Sequence, residues 1–375
     1  MVAHRRKGAW GDRVVRPDPV GGAPVTLDRT IAAIAAPDPA VEAEAWQRHG
    51  QLTKPRGSLG ALEDVGVRLA VLAGECPPPL PEPAAIAVFA GDHGVHAEGV
   101  TAWPQEVTAQ MVANFLAGGA VVNVAAAQCG ASVSVVDVGV ATELPDAPDL
   151  LRRNVRRGTG NIAVEPAMTR AEAVRAVEVG IETARELVAA GNRCLLAGDM
   201  GIANTTPSAA LVAACTGVPV QQVTGHGAGV DEAAWARKVA VVERSLATHR
   251  PDPDDPVGVL AAVGGLEHAA IAGFLLGAAA HRVPAVLDGV TVVAAALVSH
   301  ALAPDVVHAL IAGHVSVEPG ARHALAALDL RPLLDLDLRL GEGSGAVLAL
   351  PLVQSAAGVL RDVATFDSAG VLDKR

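Results

Sequence analysis

The chain has 375 residues, a formal net charge of −11 and 51% hydrophobic residues. That length can bury a large core, and an acidic balance with no long basic stripe argues against a nucleic-acid surface. Tyr is absent and aromatics make up 2%, so small aliphatic side chains must fill the interior, which favours α/β layers over a β-sandwich.

The N-terminal residues 1–27 carry basic side chains with no apolar stretch behind them, and read as a mobile tail rather than a signal peptide. Residues 28–75 read as helical, with apolar positions three and four apart over 59–74. The segment ECPPPLPEP, 75–83, cannot continue a helix and reads as a linker. Short apolar runs then alternate with helical stretches: 85–91, 132–139, 194–198, 283–289 and 309–316. This is the pattern of βα units around a buried parallel sheet. Asp92, Asp137, Asp199 and Asp288 fall at the ends of these runs, where several acidic groups would converge on one crevice. Asp also favours turns for local reasons, so each alone reads equally as structural.

The four cysteines, Cys76, Cys129, Cys194 and Cys215, are widely spaced without a CxxC pair, which argues against a zinc ribbon, a redox motif or a disulfide framework and fits a reducing cytoplasm. The most hydrophobic stretches, 259–281 and 284–304, contain Glu267, His268, Asp288 and His300. Neither offers ~18 uninterrupted apolar residues, so no membrane span is expected. Two segments, 144–162 and 248–258, read as exposed loops. The first carries Arg152, Arg153, Arg156 and Arg157, which read as a solvated patch without a catalytic role.

In 90–119 a strand leads to a helix starting near Pro104 and stopping at Gly118, with Val107, Met111 and Phe115 as its apolar seam. Trp103 and Gln110 could face a planar ligand, although Trp103 reads equally as a core or interface anchor. Asp92, His93 and His96 invite a metal, but they share one tight loop without further ligands, so no metal is expected. In 197–214 an apolar run breaks into a glycine turn and restarts as a helix, with Thr206 placed as N-cap and Pro207 as first helical residue. Such a turn presents unpaired amides to an anion, and phosphate is the obvious guest. A second glycine-rich helix entry, 224–246, carries Lys238, which either reaches an anion or is solvated. GHVSVEPGA, 313–321, offers Ser316. Near the C-terminus Glu342 stands between Gly341 and Gly343 before an apolar helix, where it serves either as a general base or as a first-turn residue favoured by the helix dipole.

Nine ordered blocks carry a resemblance: LTKPRGSLGALE (52–63), AGDHGV (90–95), PQEVTAQMVANFLAGG (104–119), GDMGIANTTPSAAL (198–211), TGHGAGVD (224–231), GGLEHAAIAGF (264–274), VLDG (286–289), HVSVEPG (314–320) and RLGEGSGA (339–346). Together they resemble the nicotinate-nucleotide:dimethylbenzimidazole phosphoribosyltransferase family, over nearly everything after the tail. The resemblance implies a parallel Rossmann-like sheet flanked by helices (85–330). It also implies a smaller helical domain assembled from 28–84 and 331–375. It implies a homodimer, nicotinate mononucleotide and dimethylbenzimidazole as substrates, and no cofactor.

The implied chemistry needs no general acid at the leaving group, because the nicotinate ring of the nucleotide already carries positive charge. Glu342 is the implied base, with Asp199 and Asp288 as further acidic groups of the site. Gly201, Ile202, Asn204, Thr205, Gly227, Lys238 and Ser316 are the implied cradle for phosphate and ribose, and Trp103, Gln110 and Leu340 the implied base pocket. One departure stands out: the family carries Glu where this chain has Asp199, a carboxylate shorter by one methylene. Two other readings keep the phosphate site, one with another base or a phenol as acceptor and one as a non-catalytic nucleotide sensor. The glycine setting of Glu342 discriminates against the sensor. A Rossmann dehydrogenase is disfavoured because no GxGxxG follows the first strand of the α/β region.

Overall fold

The computed structural model describes residues 26–227, 229 and 231–372. Through residue 25, the expected tail lies outside the described residues.

Three helices come first: α1 (Leu27–Ala33), α2 (Pro39–Gln51) and α3 (Ala61–Ala73). Asp38 accepts from Ala40 N and Pro39 opens α2, so this start is set locally. Then come β1 (Ala84–Gly91), α4 (Val107–Leu116), α5 (Val121–Cys129), β2 (Ser132–Gly139), β3 (Leu150–Arg152) and α6 (Arg170–Ala189). α6 starts with a reciprocal cap between Thr169 and Glu172. β4 (Cys194–Met200) leads into α7 (Thr205–Thr216), followed by α8 (Val220–Val223), α9 (Glu232–His249), α10 (Pro256–Val263) and α11 (Leu266–Ala280). The chain ends with β5 (Ala285–Leu287), α12 (Val290–Leu302), β6 (Leu310–Ala312), α13 (Pro319–Ala327), α14 (Ser344–Asp362) and α15 (Phe366–Ala369).

The strands form one parallel six-stranded sheet in the order β3-β2-β1-β4-β5-β6. β1 and β4 are buried along their whole lengths, which explains why they read as unbroken apolar runs. The chain reverses its direction of growth between β1 and β4, where Val88 faces Gly198, so a crevice opens beyond their carboxyl ends. β3 falls inside the segment expected to be an exposed loop. It is only three residues long, too short for an alternating signal, and its Leu150 is buried against β2. The four arginines of this segment are paired with Asp146, Glu186, Glu172 and Asp137 respectively, as a structural patch.

One apolar layer, including α6, α7, α11 and α12, covers one face of the sheet, and α4, α5 and α14 cover the other. The scarcity of aromatics has a geometric counterpart where α6 meets α11. A Cβ on Gly180 would overlap the carbonyl of Ala270, and one on Gly273 the carbonyl of Val177, so the two backbones touch. The stretches 259–281 and 284–304 include the buried core helices α11 and α12. Two other stretches, Val107–Cys129 and Ser344–Asp362, are as long and apolar as a membrane span, as helices packed in a protein core also are. The first is broken into α4 and α5, of 10 and 9 residues, and the second is α14, which packs on α3, α5, β4 and β5.

Candidate active site

At the carboxyl end of β4 the chain turns sharply. Gly201 lies so close to β1 that a Cβ would overlap the carbonyl of Gly91, and Ala203 adopts φ +76°. α7 starts at Thr205 with Asn204 as N-cap residue, so Thr206 is its second residue and not the cap. Asn204 makes no side-chain cap, and its Nδ2 donates to Asp199 Oδ2 at 2.6 Å. Ile202 N donates to Thr108 Oγ1 at 3.1 Å, fixing the turn to α4.

Lys238 enters this turn from α9. It is 1% exposed, and its Nζ donates to Thr205 Oγ1 at 2.8 Å and to Gly225 O at 3.0 Å. An ammonium has three N–H donors, so one remains for the cleft. Burial lowers its pKa and the Glu318 carboxylate opposes that shift. Glu318, unnoticed in the sequence, is 6% exposed and accepts from Gly227 N at 2.7 Å. Its own N–H donates to Ser316 Oγ at 3.2 Å. Gly227 (φ +58°) lies in left-handed backbone, and Ala228 and Val230 beyond it lie outside the described residues.

Gly341 and Leu340 also line the cleft, and Glu342 follows Gly341 directly in the chain. Gly341, Glu342 and Gly343 have φ of +82°, +66° and +87°, three consecutive left-handed residues. For Glu342 this conformation costs about 1–2 kcal/mol, so neighbouring contacts must hold it. Asp288 supplies them: its Oδ2 accepts from Gly343 N at 2.9 Å and its Oδ1 from Gly345 N at 2.7 Å and Ala346 N at 3.2 Å. His314 Nε2 meets Asp288 Oδ1 at 3.2 Å. Asp288 is fully buried and grips the start of α14; it is a support for the Glu342 turn rather than an acidic group facing the cleft. Glu342 itself is 5% exposed, and its carboxyl is pushed up to about 7, first by burial and then by Asp288. Asp199 is driven well above the usual carboxylate range by burial, then by Asp288 and Glu267.

The cleft thus gathers Asp199, Gly201, Ile202, Asn204, Thr205 and Gly227 with Lys238 and Ser316. Trp103 and Leu340 stand on its rim, 50% and 51% exposed. Gln110 does not join them. The buried face of α4 is Thr108, Val112 and Phe115, with Val107 and Met111 only half-buried. Gln110 is two residues from Thr108, about 200° around the helix, and points outward. Of the strand-end carboxylates, only Asp199 and Asp288 serve this site. Asp137 accepts from Val140 N and closes a local turn, and Asp92 accepts from Ala141 N, 49 residues on, joining the end of β1 to the loop after β2. Among the described residues no group of three or more His, Cys, Asp or Glu side chains is arranged to hold a metal ion. His93 faces Glu267 and His96 faces the carbonyl of Trp103. Thr291, His226 and Arg339 also line the cleft; His226 and Arg339 lie within the blocks 224–231 and 339–346, and nothing in the local sequence marks Thr291.

The chain is similar to the protein named "Nicotinate-nucleotide--dimethylbenzimidazole phosphoribosyltransferase" of Salinispora tropica, 60% identical over 362 residues that cover 93% of this chain and 100% of that protein. It is 53% identical to the protein of the same name from Chloroflexus aggregans, covering 93% and 99% of the two chains. The solved structure of CobT from Thermus thermophilus superposes with a TM-score of 0.87 at 53% identity, over 90% of this chain and 100% of that one. The chain belongs to the phosphoribosyltransferase family DBI_PRT, whose profile matches residues 34–371.

Proposed function

We propose that this enzyme transfers the phosphoribosyl group of nicotinate mononucleotide to 5,6-dimethylbenzimidazole, giving α-ribazole 5′-phosphate and nicotinate, in assembly of the cobalamin nucleotide loop. The observation that carries this reading is the placement of Glu342. Its carboxyl, raised to about 7, directly follows Gly341, which lines the cleft together with Lys238, Thr205 and the α7 N-terminus. The names of relatives at 50–60% identity point the same way.

The nucleotide's phosphate sits against the third N–H of Lys238 and the N-terminus of α7. Asp199 and Ser316 face the ribose. The acceptor lies under Trp103 and Leu340, where the indole supplies a stacking face. One benzimidazole nitrogen attacks ribose C1 from the side opposite the departing ring. The C1–N bond to nicotinate breaks, and its electron pair neutralises the pyridinium. Glu342 takes the N–H proton from the other nitrogen of the acceptor. A carboxyl with a pKa near 7 is matched to that proton, being about half ionised at neutral pH and more basic than an ordinary carboxylate.

Three further readings belong to this proposal. The chain acts as a homodimer, for which exposed Val121 and Val124 on α5 and Leu348 on α14 offer an apolar surface. It works in the cytoplasm, which suits four free cysteines. The segments 28–84 and 331–375 form the smaller helical domain, a reading supported by the packing of α2, α3 and α14 on one another. Incubation with nicotinate mononucleotide and a panel of dimethylbenzimidazole, benzimidazole, adenine and phenol, followed by mass spectrometry, tests the transfer. A dimethylbenzimidazole ribotide is the expected product. Bound nucleotide without transfer to any acceptor would replace the enzyme by a sensor.

A further inference from the structure

A line of buried polar side chains that the transfer chemistry leaves unused runs beneath the cleft. Glu267 and His268 at the start of α11, His93 after β1 and Ser208 in α7 are each no more than 1% exposed. Glu267 Oε1 lies 2.9 Å from His93 Nε2 and 2.7 Å from His268 Nδ1. The other ring nitrogen of His268 lies 2.8 Å from Ser208 Oγ. Ser208 Oγ is 3.4 Å from Thr291 Oγ1, and Thr291 hydrogen-bonds to Asp199. The line therefore ends on a residue of the cleft wall.

The order Ser208, His268, Glu267 has the form of a hydrolase triad, but Ser208 is fully buried and donates to Asn204 O at 2.8 Å. No substrate atom reaches it. The packing is built around these groups: a Cβ on Gly265 would come within 2.6 Å of Glu267 Oε2, His268 Nδ1 and His93 Cε1. At its other end His93 lies under the phosphate turn, where a Cβ on Gly201 would be 3.1 Å from His93 Nε2. The cluster thus touches the 199–208 segment twice, at Gly201 and at Ser208. Ser208 Oγ donates to Asn204 O and, at longer range, toward Thr291 Oγ1, so its one proton serves these acceptors and its lone pairs face His268, while Thr291 gives its own proton to Asp199.

We propose that His268, anchored on Glu267, is a positioning residue for the nucleotide half of the site. Through Ser208 and Thr291 it sets the orientation of Asp199 and holds the first turn of α7 against the cleft, and it touches no substrate. The inference rests on the transferase reading above for its kinetic consequences and on geometry alone for nucleotide binding.

Steady-state kinetics with each substrate varied in turn, together with calorimetric titration by nicotinate mononucleotide, test it on the full chain. His268→Ala is expected to raise the nucleotide KM and Kd about tenfold or more, the scale of a misplaced positioning group, with the acceptor KM unchanged. His268→Gln, whose side-chain amide can still donate to Ser208, is expected to restore most of the loss. Ser208→Ala removes only a hydroxyl and is expected to show the same selective weakening, which keeps the test open where His268→Ala does not fold. An equal loss on both substrates, or no loss in a folded variant, overturns the positioning role. A wild-type protein that binds the nucleotide without turnover overturns the transferase reading alone, and the calorimetric comparison then decides the role of His268.

Discussion

The Asp288 carboxylate and the Gly343 backbone are 2.9 Å apart, Oδ2 to amide nitrogen, and this contact ties the end of β5 to the turn that carries Glu342. Asp288 therefore acts on Glu342 in two ways. It holds a left-handed backbone in place, and after burial it is the next cause of the raised carboxyl. Asp288→Asn separates the two effects. Asn keeps one acceptor and turns an NH2 toward backbone N–H groups, leaving a buried donor unpaired at a cost of about 1–3 kcal/mol. Removing the negative charge lowers the Glu342 pKa. The expected outcome is a lower Tm, a kcat reduced about tenfold by a looser turn, and an acid limb of the kcat/KM profile displaced below pH 7. An unchanged acid limb in a folded variant would remove Asp288 from the electrostatics of the site.

Glu342→Gln is expected to keep nucleotide binding and slow transfer about 100-fold or more. It carries a second signature in stability. The folded carboxyl titrates near 7 against an ordinary 4.5, so the folded state holds this proton more tightly than the unfolded chain. Its contribution is fully present below about pH 4.5 and is lost as pH rises through 7. The neutral Gln escapes that loss, so the variant should exceed the wild type by up to roughly 3 kcal/mol at pH 8 and match it near pH 4. Denaturant melts at the two pH values measure this. Equal stability at pH 8 would mean that the carboxyl is not raised.

Lys238 and Glu318 make opposed contributions to one anion cradle. Lys238→Met removes a charge-assisted donor and leaves Thr205 Oγ1 and Gly225 O without their partner. The loss of about 1.5–3 kcal/mol corresponds to a nucleotide Kd raised about 10- to 100-fold. Glu318→Gln keeps an acceptor for Gly227 N and removes a negative charge from beside the phosphate. Nucleotide binding should tighten several-fold. Weaker binding by the Gln variant would instead place Glu318 in contact with the ligand as an acceptor that needs its charge.

Much of the scaffold is legible in the sequence because its signals are local. The buried runs of β1, β2 and β4 read as strands, and the glycine turns at Gly201 and at Gly341–Gly343 read as places where backbone meets ligand. What escapes is long-range. β3 is three residues with no periodicity, and only its partner β2 makes it a strand. Asp288 looks like any strand-end carboxylate until α14 is seen folding back onto it, 55 residues later. Glu318 lies within the HVSVEPG block but has meaning only beside Gly227, 91 residues away. Thr206 is a sound N-cap on local chemistry, but the helix already begins at Thr205, after an Asn204 whose side chain is bonded to Asp199.

Trp103 and Gln110 read from sequence as parts of one pocket, and the structure separates them. Trp103 is half-exposed on the rim of the cleft, with its carbonyl held 2.9 Å from His96 Nε2, whereas Gln110 lies on the outward face of α4. An aromatic stacking contact is worth about 0.5–1.5 kcal/mol beyond the area it covers. Trp103→Ala should therefore raise the acceptor KM about tenfold and leave the nucleotide KM unaltered. Adding methyl groups to the acceptor increases the stacked area, so the loss should be larger for dimethylbenzimidazole than for benzimidazole. Gln110→Ala is the matched control and should change neither constant. Acceptor KM values for both bases across the two variants decide the matter: a Gln110 effect equal to that of Trp103 would require α4 to turn its outward face toward the acceptor, and would move the base pocket away from the Trp103 rim.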